Sequence, residues 1–139
     1  MKIVVDSSVI LKWLYREDEN HINQADLLLK NAVEKSVTLL APELAKYEVG
    51  NVLLMAKKLS KENGVEVLDI FYSLLICFVP ESKEIANETY IIGTQSGNTY
   101  YDASFAALAK QENAILITDN PKHQAKIGGV KVLPLEQYT

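Results

Sequence analysis

At 139 residues, with 48% hydrophobic and 23% charged side chains, the chain can bury a continuous core unaided and reads as one globular domain over residues 1–139. A net charge of −4 argues against a generally basic nucleic-acid binder but not against an enzyme whose cations screen an acidic cleft. The single cysteine, Cys77, lies in the apolar run Leu74–Val79, which excludes an intrachain disulfide and predicts a small core thiol in a reducing cytoplasm.

No basic-then-apolar leader opens the chain, and no apolar stretch approaches ~18 residues, so neither a signal peptide nor a membrane span is expected. Ile3–Val5 is short, β-branched and uninterrupted, which suits a central strand buried on both faces. Ser8–Tyr15 reads as a short helix. Ile22, Ala25, Leu28, Leu29, Ala32 and Val33 then repeat at helical spacing. Val37–Leu40 is a second strand, closed by Ala41-Pro42, with Pro42 placed in the first turn of a helix running to about Leu59. Asn63 and Glu66 resemble a capping box opening a helix through Ile76. Phe78-Val79 forms a third strand, and Ser82 caps a helix that ends near Gly97. The helix Tyr101–Glu112 feeds strand Ala114–Thr118, and Gly128-Gly129 turns into a last strand, Val130–Leu133. This alternation predicts an α/β domain with a mainly parallel sheet.

In a parallel sheet the carboxyl ends of all strands share one edge, where open α/β domains bind ligands. Asp6 follows the first strand and Asp119 follows Ala114–Thr118, so both belong to that edge. Asp102 opens the helix feeding the latter strand, and Glu48 lies in the second turn of the helix after Val37–Leu40. Four acids distant in sequence thus converge on one rim. Singly, each has a plainer role: Asp6 as a helix cap, Glu48 on a solvated face, Asp102 as a helix-dipole charge, Asp119 as a turn residue. Jointly they repel, by ~4 kcal/mol for two carboxylates ~4 Å apart at an effective dielectric of 20. Such a cluster must spread, take up protons or hold cations. With no His–Cys ligand set, hard oxygen donors suit Mg²⁺ or Mn²⁺.

The stretches "IVVDSSVILKWL", "PELAKYEVGNVLL", "YYDASFAALA" and "ILITDNPKH" occur in this order across nearly the whole chain. Together they resemble the PIN-domain family, in particular the VapC-type toxin ribonucleases of toxin–antitoxin pairs. The resemblance implies a three-layer α/β/α sandwich, Mg²⁺- or Mn²⁺-dependent cleavage of RNA, a cytoplasmic homodimer and an antitoxin partner. Residue by residue, Asp6, Glu48 and Asp102 match the first three acids of the family site, and Ser8 a hydroxyl position supporting the first. The fourth position is displaced. The family pattern is Thr-x-Asp, sometimes Thr-x-Asn, whereas here Thr118-Asp119-Asn120 puts Asn120 in the usual place of the acid. Three arrangements are open: Asp119 re-aimed to the metal, Asn120 binding through its carbonyl or a water, or a site with three working acids; Asp119 is the preferred fourth ligand, with Thr118 and Asn120 supporting.

On this reading Asp6, Glu48 and Asp102 hold one ion that activates water, and a second near Asp119 would stabilise the leaving oxygen. Lys12 and Arg16, at i,i+4 on the first helix, with Lys46, Lys122 and Lys126, are candidates for backbone phosphates. His21 and His123 form no visible catalytic pair. A haloacid-dehalogenase-type phosphatase needs a second Asp where Ser8 stands, and a dinucleotide-binding turn needs glycines that "VVDSSV" lacks. The competing reading is a PIN-fold module that binds RNA or an antitoxin without turnover.

Overall fold

The computed structural model describes residues 1–124 and 127–139. Five strands, β1 (Lys2–Val5), β2 (Thr38–Pro42), β3 (Ile76–Val79), β4 (Ile115–Thr118) and β5 (Val132–Pro134), form one sheet in the order β3-β2-β1-β4-β5. Every pairing is parallel. Ile3, Val4 and Val5 are all almost fully buried. Since successive strand residues point to opposite faces, helices must cover both faces of the sheet. The α/β sandwich is therefore as expected.

The helices are α1 (Ser7–Leu14), α2 (Ile22–Val33), α3 (Leu44–Asn51), α4 (Lys61–Ser73), α5 (Lys83–Ser96), α6 (Tyr100–Gln111) and the short α7 (Pro121–Gln124). Helix α6 packs on β1, β2 and α5, whereas α1 packs on β4 and against α2, α3 and α4. Trp13 fastens α1 to α2, its indole N–H donating to the Ala25 carbonyl at 2.7 Å. Ser82 caps α5 by accepting the Ile85 N–H, and Gly97 ends it at φ +74°, a left-handed position where the absent Cβ relieves strain. No described helix is long and apolar enough to cross a membrane.

Several boundaries differ from expectation, the last strand among them, which runs Val132–Pro134 rather than Val130–Leu133. Pro42 is the last residue of β2, opposite Val79, and the helix begins only at Leu44; at a strand end its missing N–H costs no ladder bond. That helix does not run regularly to Leu59, but widens into a π-helical turn over Val52–Ala56, where the Lys57 N–H reaches back to the Val52 carbonyl. Helix α4 is capped by Ser60, which accepts the Asn63 N–H, and stops at Ser73. Ile76 is already in β3 because the unbroken apolar run 74–79 fits a strand as well as a helix. Cys77 is exposed rather than a core thiol, since β3 is an edge strand and leaves one side chain of its run uncovered.

Candidate functional site

The strand order fixes where ligands can approach. The chain winds from β1 through β2 to β3 in one direction and from β4 to β5 in the other, so the reversal falls between β1 and β4. Crevices at the carboxyl ends of such strands are the usual binding place. Asp6 follows β1 there, its N–H continuing the ladder to the Ile117 carbonyl at 3.0 Å, and Thr118 ends β4 beside it.

Asp6 performs the capping role and leaves half of its carboxylate for another. At 8% exposure it is the N-cap of α1. Its Oδ2 accepts the Ser8 hydroxyl at 2.6 Å, the Thr118 hydroxyl at 3.2 Å and the Ser8 N–H at 3.4 Å. Those two hydroxyls are themselves oriented by backbone: Asp119 N–H donates to Ser8 Oγ at 3.1 Å, and Asn120 N–H to Thr118 Oγ1 at 3.0 Å. Each hydroxyl thus accepts from the β4–α7 turn and donates to Asp6. Oδ1 accepts no hydrogen bond from the described residues. Burial raises the Asp6 pKa, opposed by the Ser8 and Thr118 hydrogen bonds and reinforced by the charge of Asp102.

Glu48 is arranged in the same one-sided way. Its position on α3 brings Oε1 within 2.8 Å of the Ser7 hydroxyl, which donates to it, while Oε2 accepts no hydrogen bond from the described residues. Burial is the main cause of its raised pKa, with Asp6 and Asp102 adding repulsion against the lowering by Ser7. Asp102 stands in the first turn of α6, its N–H held by the Thr99 cap at 3.1 Å. Asp102 thus adds repulsion to both Asp6 and Glu48, and Asp6 to Glu48. The three are nonetheless not drawn tightly together: among the described residues no three His, Cys, Asp or Glu side chains form a ready metal group. Uncompensated carboxylates spread for the reason given by their repulsion. Two buried or half-buried acids, each with one oxygen anchored and one left open, are donor chemistry that fits a hard divalent cation, partly through water.

Asp119 is different. Its Oδ2 is 3.0 Å from the Lys12 ammonium and its Oδ1 3.0 Å from His21 Nδ1. Both of its oxygens therefore have partners other than an ion here, and the group of Asp119 that reaches the acid site is its backbone N–H, through Ser8.

A PIN-domain model matches residues 3–129 of the chain. The chain belongs to the PIN-domain family. A protein of Pyrobaculum aerophilum called Ribonuclease VapC3 is 30% identical over 124 residues, covering 85% of this chain and 88% of that one. Among solved structures, VapBC2 of Rickettsia felis bound to a promoter DNA fragment superposes with a TM-score of 0.73 at 21% identity, covering 96% and 98% of the two chains. DNA-bound VapBC of Salmonella typhimurium gives 0.73 at 16% identity, covering 97% and 98%. At such identities these structures speak for the fold.

Of the phosphate candidates in this PIN domain, Lys12, Arg16 and Lys46 are committed elsewhere. Lys12 is buried, at 1% exposure, and is held by Asp119 and Glu19 rather than free for phosphate. Arg16 lies beyond the end of α1 and makes a two-pronged pair with Asp26, both bonds 2.8 Å. Lys46 pairs with Glu43 at 2.9 Å and sits over the Tyr72 and Phe78 rings. Lys122 is exposed on α7 and Asn120 is exposed beside it. Lys126 and the side chain of His123 lie outside the described residues. Ser7, Glu19 and His21 carry roles at or behind the site that the sequence reading did not assign. Only Ser7, adjoining Asp6 on a helix that faces Glu48, had a local signal.

Proposed function

We propose that this chain is a metal-dependent endoribonuclease, the toxin of a toxin–antitoxin pair, with Asp6, Glu48 and Asp102 holding Mg²⁺ or Mn²⁺. The observation that carries the reading is the one-sided anchoring of Asp6 and Glu48, which leaves Oδ1 and Oε2 open beside Asp102 at the switch between β1 and β4. The name of the Pyrobaculum relative supports RNA as substrate. A bound divalent cation would make a water more acidic and stabilise charge on the phosphoryl oxygens. The chain's own part is to keep the acids ionised and aimed: Ser8 and Thr118 hold Asp6, Ser7 holds Glu48, and the Thr99 cap holds the start of α6. The VapBC complexes among its structural neighbours support an antitoxin partner.

The test is cleavage of structured and single-stranded RNAs with Mg²⁺, Mn²⁺ or EDTA, beside Asp102→Asn. Metal-dependent cleavage lost in the variant is expected; equal activity in both would expose a contaminant. The pairing of both Asp119 oxygens with Lys12 and His21 favours the second reading, a binding module without turnover. RNA retention without cleavage under any metal would establish it.

Ser7→Ala removes the hydrogen bond that lowers the Glu48 pKa. The acid limb of its pH–rate profile is expected to move to higher pH, with activity on that limb falling about three- to tenfold, as for one lost bond to a charged group. An unmoved limb would remove Glu48 from the ionisations that matter.

A further inference from the structure

Behind the three acids lies a second charged cluster that the proposed reaction does not use. Lys12 is buried in full, at 1% exposure, and its ammonium is 3.0 Å from both Asp119 Oδ2 and Glu19 Oε2. A buried ammonium is retained only where carboxylates compensate it. Its place on α1 explains its reach. Ser8 and Lys12 are four residues apart and project from the same helix face. Ser8 Oγ accepts the Asp119 N–H at 3.1 Å, while Lys12 takes the Asp119 carboxylate. One helix face therefore grips Asp119 at two points. The Ser8 hydroxyl, accepting from Asp119, has its proton directed to Asp6 Oδ2 at 2.6 Å.

We propose that Lys12 is a positioning residue for the acid site: it clamps Asp119 so that the Asp119 N–H orients Ser8 toward Asp6, and it keeps Asp119 out of the ligand set. This rests on the reading of Asp6, Glu48 and Asp102 as the metal site. Lys12 touches none of them; it acts through Asp119 and Ser8.

The experiment is calorimetric titration of Mn²⁺ into the full chain and its variants, with melting in EDTA alongside. Lys12→Met is expected to weaken Mn²⁺ binding roughly tenfold although no ligand is removed, the size of effect typical of outer-shell partners. Asp119→Asn keeps a carbonyl for Lys12 and the N–H for Ser8, so its Kd should change by no more than about twofold. Lys12→Gln serves where Lys12→Met does not fold. In EDTA, the melting losses of Lys12→Gln and Asp119→Asn should combine to less than their sum, as for residues in contact. A tenfold loss in Asp119→Asn would return Asp119 to the ligand set and overturn the proposal. So would a Lys12 variant that melts lower with wild-type affinity, or additive losses in EDTA. If the wild type binds no Mn²⁺, the nuclease reading falls and the positioning role with it; that outcome is recognisable because coupling in EDTA needs no metal and would persist.

Discussion

Asp6→Asn is expected to abolish RNA cleavage and, in EDTA, to melt at a higher temperature than the wild type. The two effects share one cause. Burial raises the Asp6 pKa against the hydrogen bonds from Ser8 and Thr118, and Asp102 raises it further. A carboxyl whose pKa is higher folded than unfolded binds more protons in the native state. Stability therefore falls as pH rises from the unfolded value near 3.8 through the raised folded value. Asparagine removes the charge. Its carbonyl can still accept from Ser8 and Thr118, and its amide carries no charge for Asp102 to repel. Each kcal/mol relieved is worth roughly 3–6 °C in a chain of this size. Cleavage should drop about a thousandfold, ~4 kcal/mol of transition-state stabilisation, because the open oxygen is lost. Thermal melting of the variant beside RNA cleavage checks both. A lower melting temperature would mean that the hydrogen bonds to Oδ2 outweigh desolvation, and unchanged cleavage would remove Asp6 from the site.

This opposition between stability and activity explains which parts of the site the sequence makes visible. Ile3–Val5 announces a buried strand because three consecutive apolar residues must be covered on both faces, and the parallel order then forces Asp6 and the end of β4 onto one rim. Helix α2 matched its periodic pattern because its apolar spacing is local. The failures occur where local chemistry is neutral between outcomes. Pro42 suits a strand end as well as a helix start, and the run 74–79 suits strand or helix. The partners of the Asp119 carboxylate are hidden from sequence for a different reason. Its side chain is decided by Lys12, 107 positions away, and by His21, which takes a left-handed backbone at φ +58° before α2. No spacing rule connects such residues. One signal was available: Lys12 interrupts the apolar sequence Val9-Ile10-Leu11-Lys12-Trp13, and a lysine within a core-facing stripe needs a buried carboxylate somewhere.

Millimolar Mn²⁺ is expected to raise the melting temperature at pH 7.5, and the rise should shrink toward pH 5. The first half follows from mass action: a ligand of the folded chain alone stabilises it by about 2.7 kcal/mol at a hundredfold excess over Kd. Here the gain is enhanced, because the ion would cancel the repulsion that Asp6, Glu48 and Asp102 exert on one another. The second half follows from competition between metal and proton for the same oxygens. Both Asp6 and Glu48 have raised pKa values, chiefly from burial, so protons begin to displace metal at a higher pH than for ordinary carboxylates. Melting scans at several pH values, with Mn²⁺ or EDTA, provide the measurement. Asp102→Asn should lose most of the shift, whereas Asp119→Asn should keep it, since the Asp119 oxygens already serve Lys12 and His21. An equal Mn²⁺ shift in Asp102→Asn would place the ion elsewhere on the acidic surface. A shift that grows as pH falls would contradict carboxylate ligands altogether.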